Sequence, residues 1–164
     1  MIRSRRDTLT AAAAFLCLCS LAAIPAAGSE IRYFPNIIYG HILIGSGASR
    51  YETGFSAASR KETRVTVKLF NDRGEPMEAS FLDEKGDLAV TGSSFEFFLA
   101  PDHPIRIKIQ LAPDDAGRDV AVKTGWATFV ASEEIDVLAL VRVTSPDGSL
   151  LNRSLVSGEI PAAS

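Results

Sequence analysis

Beyond position 19 the chain has no cysteine: Cys17 and Cys19 are the only two in 164 residues, and both fall inside the first apolar run. From residue 29 onward this excludes a disulfide, a zinc–thiolate site and a thiol nucleophile, so the fold must be held by packing. Histidine is equally scarce, with only His41 and His103. A Ser–His–Asp hydrolase would have to use one of them, and neither is accompanied by a GxSxG elbow. The glycines of GSG (45–47) lack the third glycine and the following helix of a phosphate loop. No stripe of Lys and Arg is present either. That argues against nucleic acid and against an anionic membrane surface, because both need clustered cations. Helical spacing of apolar residues is missing throughout, and tryptophan occurs once, as Trp126.

What is present begins with a leader. Arg3, Arg5 and Arg6 precede the apolar run AAAAFLCLCSLAAI (11–24), and PAAGSE follows with small residues suited to cleavage after Gly28. The run is short and alanine-rich for a membrane span, so a cleaved signal peptide over 1–28 is expected, with one domain over 29–164 and no span after cleavage. Phe15-Leu16 and Cys17-Leu18 stand where a lipid-attachment signal wants small residues. Ser4 to Leu9 also fits a twin-arginine signal, and the general secretory route fits equally well. Either route places the product outside the cytoplasm, in a periplasm or beyond the cell. Cleavage takes three of the 17 basic and one of the 20 acidic residues, leaving a net charge of about −5.

Period-two alternation dominates the remainder. IRIKIQL (105–111), RVTVKLF (64–70) and SFEFFL (94–99) each place apolar residues on one face and polar ones largely on the other. Asn71-Asp72-Arg73-Gly74, Asp83-Glu84-Lys85-Gly86 and Pro146-Asp147-Gly148 are turn signals, since their glycines accept positive φ. Strands are expected at 31–34, 37–44, 51–57, 64–70, 77–82, 93–99, 105–111, 122–131, 136–144 and 150–157, about eight or nine of them firm. Short strands so spaced predict an all-β, antiparallel β-sandwich.

The order YFP (33–35), YETGFSAAS (51–59), VTVKLFNDRGEPM (65–77), GSSFEFFLAP (92–101), GWATFVAS (125–132) and VLALVRV (137–143) resembles a family of secreted bacterial immunoglobulin-like β-sandwich modules. The departure is Ala57-Ala58-Ser59, where an Asn-Pro type of turn is the family pattern. The resemblance implies an extracytoplasmic, non-catalytic module with no catalytic residue to carry over.

Three functional readings stay open: a binding, adhesion or structural module whose partner is another envelope or surface protein, a glycan hydrolase using Asp or Glu, and a subunit or chaperone that completes a partner's sheet. No cofactor or metal is expected. Asp114, Asp115 and Asp119 lack the D-x-D-x-D-G calcium pattern and read as a solvated turn. Glu133, Glu134 and Asp136 read as a hairpin turn, and Trp126 as a core residue between two sheets. The segment 33–55, crowded with aromatics and isoleucines, is the candidate ligand region, with Tyr39, His41 and Tyr51 as partner-binding residues. Burial of this segment inside the sheet competes with that reading.

Overall fold

The protein is described by a computed structural model over residues 30–115 and 118–158. The expected signal peptide at 1–28, with Cys17 and Cys19, lies outside these residues. Ten strands follow one another: β1 (Glu30–Ile44), β2 (Gly47–Ala58), β3 (Thr63–Asn71), β4 (Ala79–Leu82), β5 (Leu88–Gly92), β6 (Ser94–Leu99), β7 (Ile105–Gln110), β8 (Val120–Ala131), β9 (Asp136–Thr144) and β10 (Leu150–Ser157). Among the described residues the only helical element is the 3-10 turn Pro113–Asp115, and no helix is long and apolar enough to cross a membrane. The architecture is all-β, as the alternation predicts.

All pairings are antiparallel, and they join into one sheet in the order β5-β4-β7-β2-β1-β8-β3-β6, with β9 on β2 and β10 on β9. The sheet curls nearly into a barrel. Phe81 of β4 stacks on Phe95 of β6 with ring centroids 5.5 Å apart, so strands near opposite ends of the path meet. Inside, Phe34 (β1), Phe55 (β2) and Phe129 (β8) pack edge to face at 4.8–5.5 Å, the geometry that ring quadrupoles favour. Val65, Val67 and Leu69 are fully buried, as the alternation of β3 requires, and so are Ile107 and Ile109 of β7.

The sheet forks at β2. Its one edge carries β9 from Arg50 to Ala58, while its other edge pairs with β1 from Gly47 to Tyr51 and with β7 from Thr53 to Ala57. Where β1 leaves, the buried hydroxyl of Thr53 takes the place of a ladder pair. It accepts from the Ile38 N–H at 3.0 Å and donates to the Ile38 carbonyl at 2.6 Å. The β1–β2 hairpin closes through Gly45-Ser46, with positive φ at Gly45 alone, the pattern of a type II′ turn.

Four expectations are corrected. Strands 31–34 and 37–44 are one strand, because the Pro35-Asn36 interruption is a bulge with Asn36 at φ 58°. Strand β5 went unpredicted. Residues 132–135 are not a hairpin turn, since β8 lies between β1 and β3 whereas β9 lies between β2 and β10. Finally, Trp126 is not in the core. Ala127, Phe129 and Ala131 face inward, and Trp126 stands half-buried on the outer face, stacked on Phe70 at 4.3 Å.

Candidate functional site

The three sequence candidates are not brought together as a surface. Tyr39 is fully buried, and its hydroxyl donates to the Glu78 carbonyl at 2.9 Å. It therefore offers no face to a partner, and its assignment as a partner-binding residue is corrected. Burial, helped by the negative charge of Asp115, holds its phenol well above the ordinary tyrosine range. The folded state thus favours the neutral ring, and its contribution is present at neutral pH and declines once the unfolded chain ionises, above about pH 10. Tyr39→Phe is expected to flatten the alkaline limb of the stability curve while costing about 1 kcal/mol for the lost hydrogen bond. Chemical denaturation from pH 7 to 11 checks this: equal alkaline slopes for both proteins would contradict it.

His41 and Tyr51 border one cleft, although the register that pairs His41 with Arg50 and Tyr51 with Gly40 sends their side chains to opposite faces of the hairpin. With Arg50, Glu52, Gln110 and Leu43 they line an open cleft of about 360 Å³ beside the β1–β2 hairpin. A second open cleft of about 660 Å³ shares Leu43, Arg50 and Glu52 and reaches the β9–β10 turn at Pro146. Strand β1 is buried at Ile37 and Tyr39 but emerges at the hairpin tip, where Leu43 and Ile44 are 46% and 56% exposed. The His41 ring is positioned by its Nε2, which donates to the Arg118 carbonyl at 2.8 Å. That bond leaves Nδ1 as an acceptor, on the same face of the hairpin as the Arg50 guanidinium and the Glu52 carboxylate. Such a set recognises a polar ligand by hydrogen bonds.

One carboxylate of each acidic cluster is engaged by the protein itself. Asp115 binds Lys123 at 2.5 Å and Arg118 at 3.3 Å, and the Lys123 bond holds its carboxyl below the usual range. Glu133 binds Lys61 at 2.7 Å. Among the described residues no three His, Cys, Asp or Glu side chains converge as metal ligands.

Aromatic residues on the outer face form a second group that the sequence did not signal. Trp126 stacks on Phe70, its direct neighbour across β3 and β8, with ring planes 18° apart, and Tyr33 lies 6.0 Å away. Neighbouring strands are about 4.8 Å apart, so two rings stacked face to face across them must stand upright on the sheet. They present edges to solvent rather than a coplanar platform for a flat ligand.

The outer face of β9, β2 and β7 is the third group. Cross-strand register sets Leu140 and Lys108 on either side of Gly54, and Arg142 opposite Glu52. They enclose a shallow dimple of about 100 Å³ over the glycine. Gly54 belongs to the segment singled out from the sequence, but the residues facing it come from β7 and β9.

Compared with known proteins, the chain matches no family model, no curated protein and no solved structure.

Proposed function

We propose that this domain is an exported, non-catalytic binding module of immunoglobulin-like sandwich type, acting on another envelope or surface protein outside the cytoplasm. The observation that carries the reading is the open cleft at the β1–β2 hairpin, where His41, Arg50 and Glu52 share a face with exposed Leu43. Mixed polar and apolar lining at an exposed hairpin suits recognition of a partner more than enclosure of a reacting centre. The leader of Arg3, Arg5 and Arg6 followed by an apolar run supports export. The fork at Thr53 supports the sandwich, because it divides the strands into β6-β3-β8-β1 and β5-β4-β7-β2-β9-β10, and Phe34 and Phe129 of the first set meet Phe55 of the second.

The free edge of β10 favours a second reading, completion of a partner's sheet. Leu150, Leu151 and Leu155 are 53%, 61% and 68% exposed on a strand that, among the described residues, pairs only with β9. Fractionation of cells producing the full chain, followed by affinity capture from the envelope, tests both readings. Retention of a partner that is lost in the His41→Ala, Tyr51→Ala variant supports the cleft. Loss only in a Ser154→Pro variant, which blocks pairing along β10, supports sheet completion, and a chain that stays in the cytoplasm contradicts both.

A further inference from the structure

Gly54 is a glycine that the fold does not require. It sits in the middle of a central strand, its φ is not positive, and a Cβ added there would meet only the Ile107 carbonyl oxygen at 3.5 Å, an ordinary contact. Glycine in a strand interior sacrifices stability, and one without a turn, bulge or collision to explain it marks a place where another backbone or ligand approaches. Its absent side chain opens the dimple between Leu140 and Lys108.

A second unfavourable arrangement adjoins it. Arg142 of β9 and Arg153 of β10 are direct cross-strand partners on the same face, and like charges so placed repel. Lys61, Arg64, Arg118 and Lys123 each hold a carboxylate within 4 Å. Among the described residues none does so for Arg106, Lys108, Arg142 or Arg153. Arg50, Arg60, Lys68, Arg73 and Lys85 are likewise without one, but the first four lie together on one face, which also carries Glu52 and Asp136, of a domain whose net charge is negative. Around them Leu138 and Leu155 are 52% and 68% exposed.

We propose that this face docks an extended acidic segment of a partner protein, one that seats an apolar side chain over Gly54 and carries a carboxylate two residues away to Arg142 and Arg153. The spacing fits. Gly54 faces Leu140, Arg142 follows Leu140 by two residues, and alternate side chains of an extended peptide repeat at the same interval of about 6.8 Å. The carboxylate removes the repulsion between the two guanidiniums, and the apolar side chain covers leucine otherwise left in water. The concavity at Gly54 distinguishes this from a lipid surface, which has no single side chain to seat over a recessed backbone. The inference rests on the binding-module reading but uses a different face from the hairpin cleft.

The test uses a short capped peptide of repeated Leu-Ser-Glu-Ser, which sets leucine and glutamate two residues apart on one face, its glutamine counterpart, and phosphatidylglycerol vesicles, each titrated into the purified domain. Saturable binding of the acidic peptide, absent for the glutamine peptide and falling about tenfold with added salt, is the expected result. Gly54→Val should fill the dimple and weaken the peptide about tenfold or more while raising the melting temperature by about 2–4 °C. Arg142→Glu should abolish binding with little change in melting. Binding unchanged in Gly54→Val, or partition onto vesicles without peptide binding, overturns the proposal. If the peptide fails while the domain still captures a partner through the His41 and Tyr51 cleft, this inference falls and the binding-module reading stands.

Discussion

Gly40→Ala is expected to unfold the domain or lower its stability by more than about 4 kcal/mol. The reason is doubly local. Gly40 has φ +130°, a conformation that L side chains rarely adopt, and a Cβ built there would lie 1.9 Å from the Ala121 carbonyl oxygen. That oxygen belongs to the backbone of β8, which pairs with β1 along almost its whole length. No flexible side chain can give way, so the strands must part. Gly45→Ala separates the two causes, because Gly45 also has positive φ, +61°, but nothing lies within 4 Å of its added Cβ. It should cost about 1–2 kcal/mol from backbone conformation alone. Urea unfolding of the two variants measures the difference. Comparable, small losses for both would mean that β1 and β8 do not approach as closely as described.

Thr53→Val should cost about 2–5 kcal/mol although it keeps the shape of the side chain. The valine leaves the Ile38 N–H and C=O without the hydroxyl that now serves both, at a point where β1 has already left β2 and no ladder bond can replace it. Each unpaired backbone group costs about 1–3 kcal/mol. Thr53→Ser retains the hydroxyl and should lose about 1 kcal/mol, for the missing methyl. The contrast is diagnostic. A fork held by the hydroxyl makes valine far worse than serine, whereas a site that wants only bulk reverses the order. Amide exchange at Ile38 gives a second readout, with protection lost in the valine variant and kept in the serine variant.

These two positions explain what was legible in the sequence and what was not. Alternation in β3, β6 and β7 read correctly, because a side-chain period of two depends only on the strand itself and on having one buried face. The turns at Gly74, Gly86 and Gly148 also read correctly, and each has positive φ. Strand β5 escaped because LAVTG is almost wholly exposed, so no buried face imposes a pattern on it. Pro35 suggested a break where the chain forms a bulge and continues. Trp126 reads as core from its own apolar bulk, whereas its side is set by its neighbours. Ala127 and Ala131 leave room on the inner face for Phe129 to reach Phe34 and Phe55, while the indole finds cover on Phe70 outside.

The candidate site was legible only as a segment. Residues 33–55 contain His41, Arg50, Tyr51, Glu52 and Gly54, but which of them are exposed depends on where the fork falls. Tyr39 passes inside, and Tyr51 lines the cleft. The cations that face Gly54 come from β7, β9 and β10, between about 50 and 100 residues along the chain, and only non-local register brings them into rows. Nothing in the local composition marks Arg142 and Arg153 as neighbours.

The central claim is that this domain binds another protein outside the cytoplasm, and site-specific photo-crosslinking in the producing cell tests it most directly. A photoactivatable residue replaces Leu140, beside Gly54, and in a separate variant Lys85, in the exposed β4–β5 turn. The account predicts one adduct of defined mass in the extracytoplasmic fraction from position 140, not from position 85, and its loss on adding Gly54→Val. Adducts of equal intensity from both positions, or none from position 140 in a domain that is exported and folded and captures no partner through the His41 cleft, would contradict it.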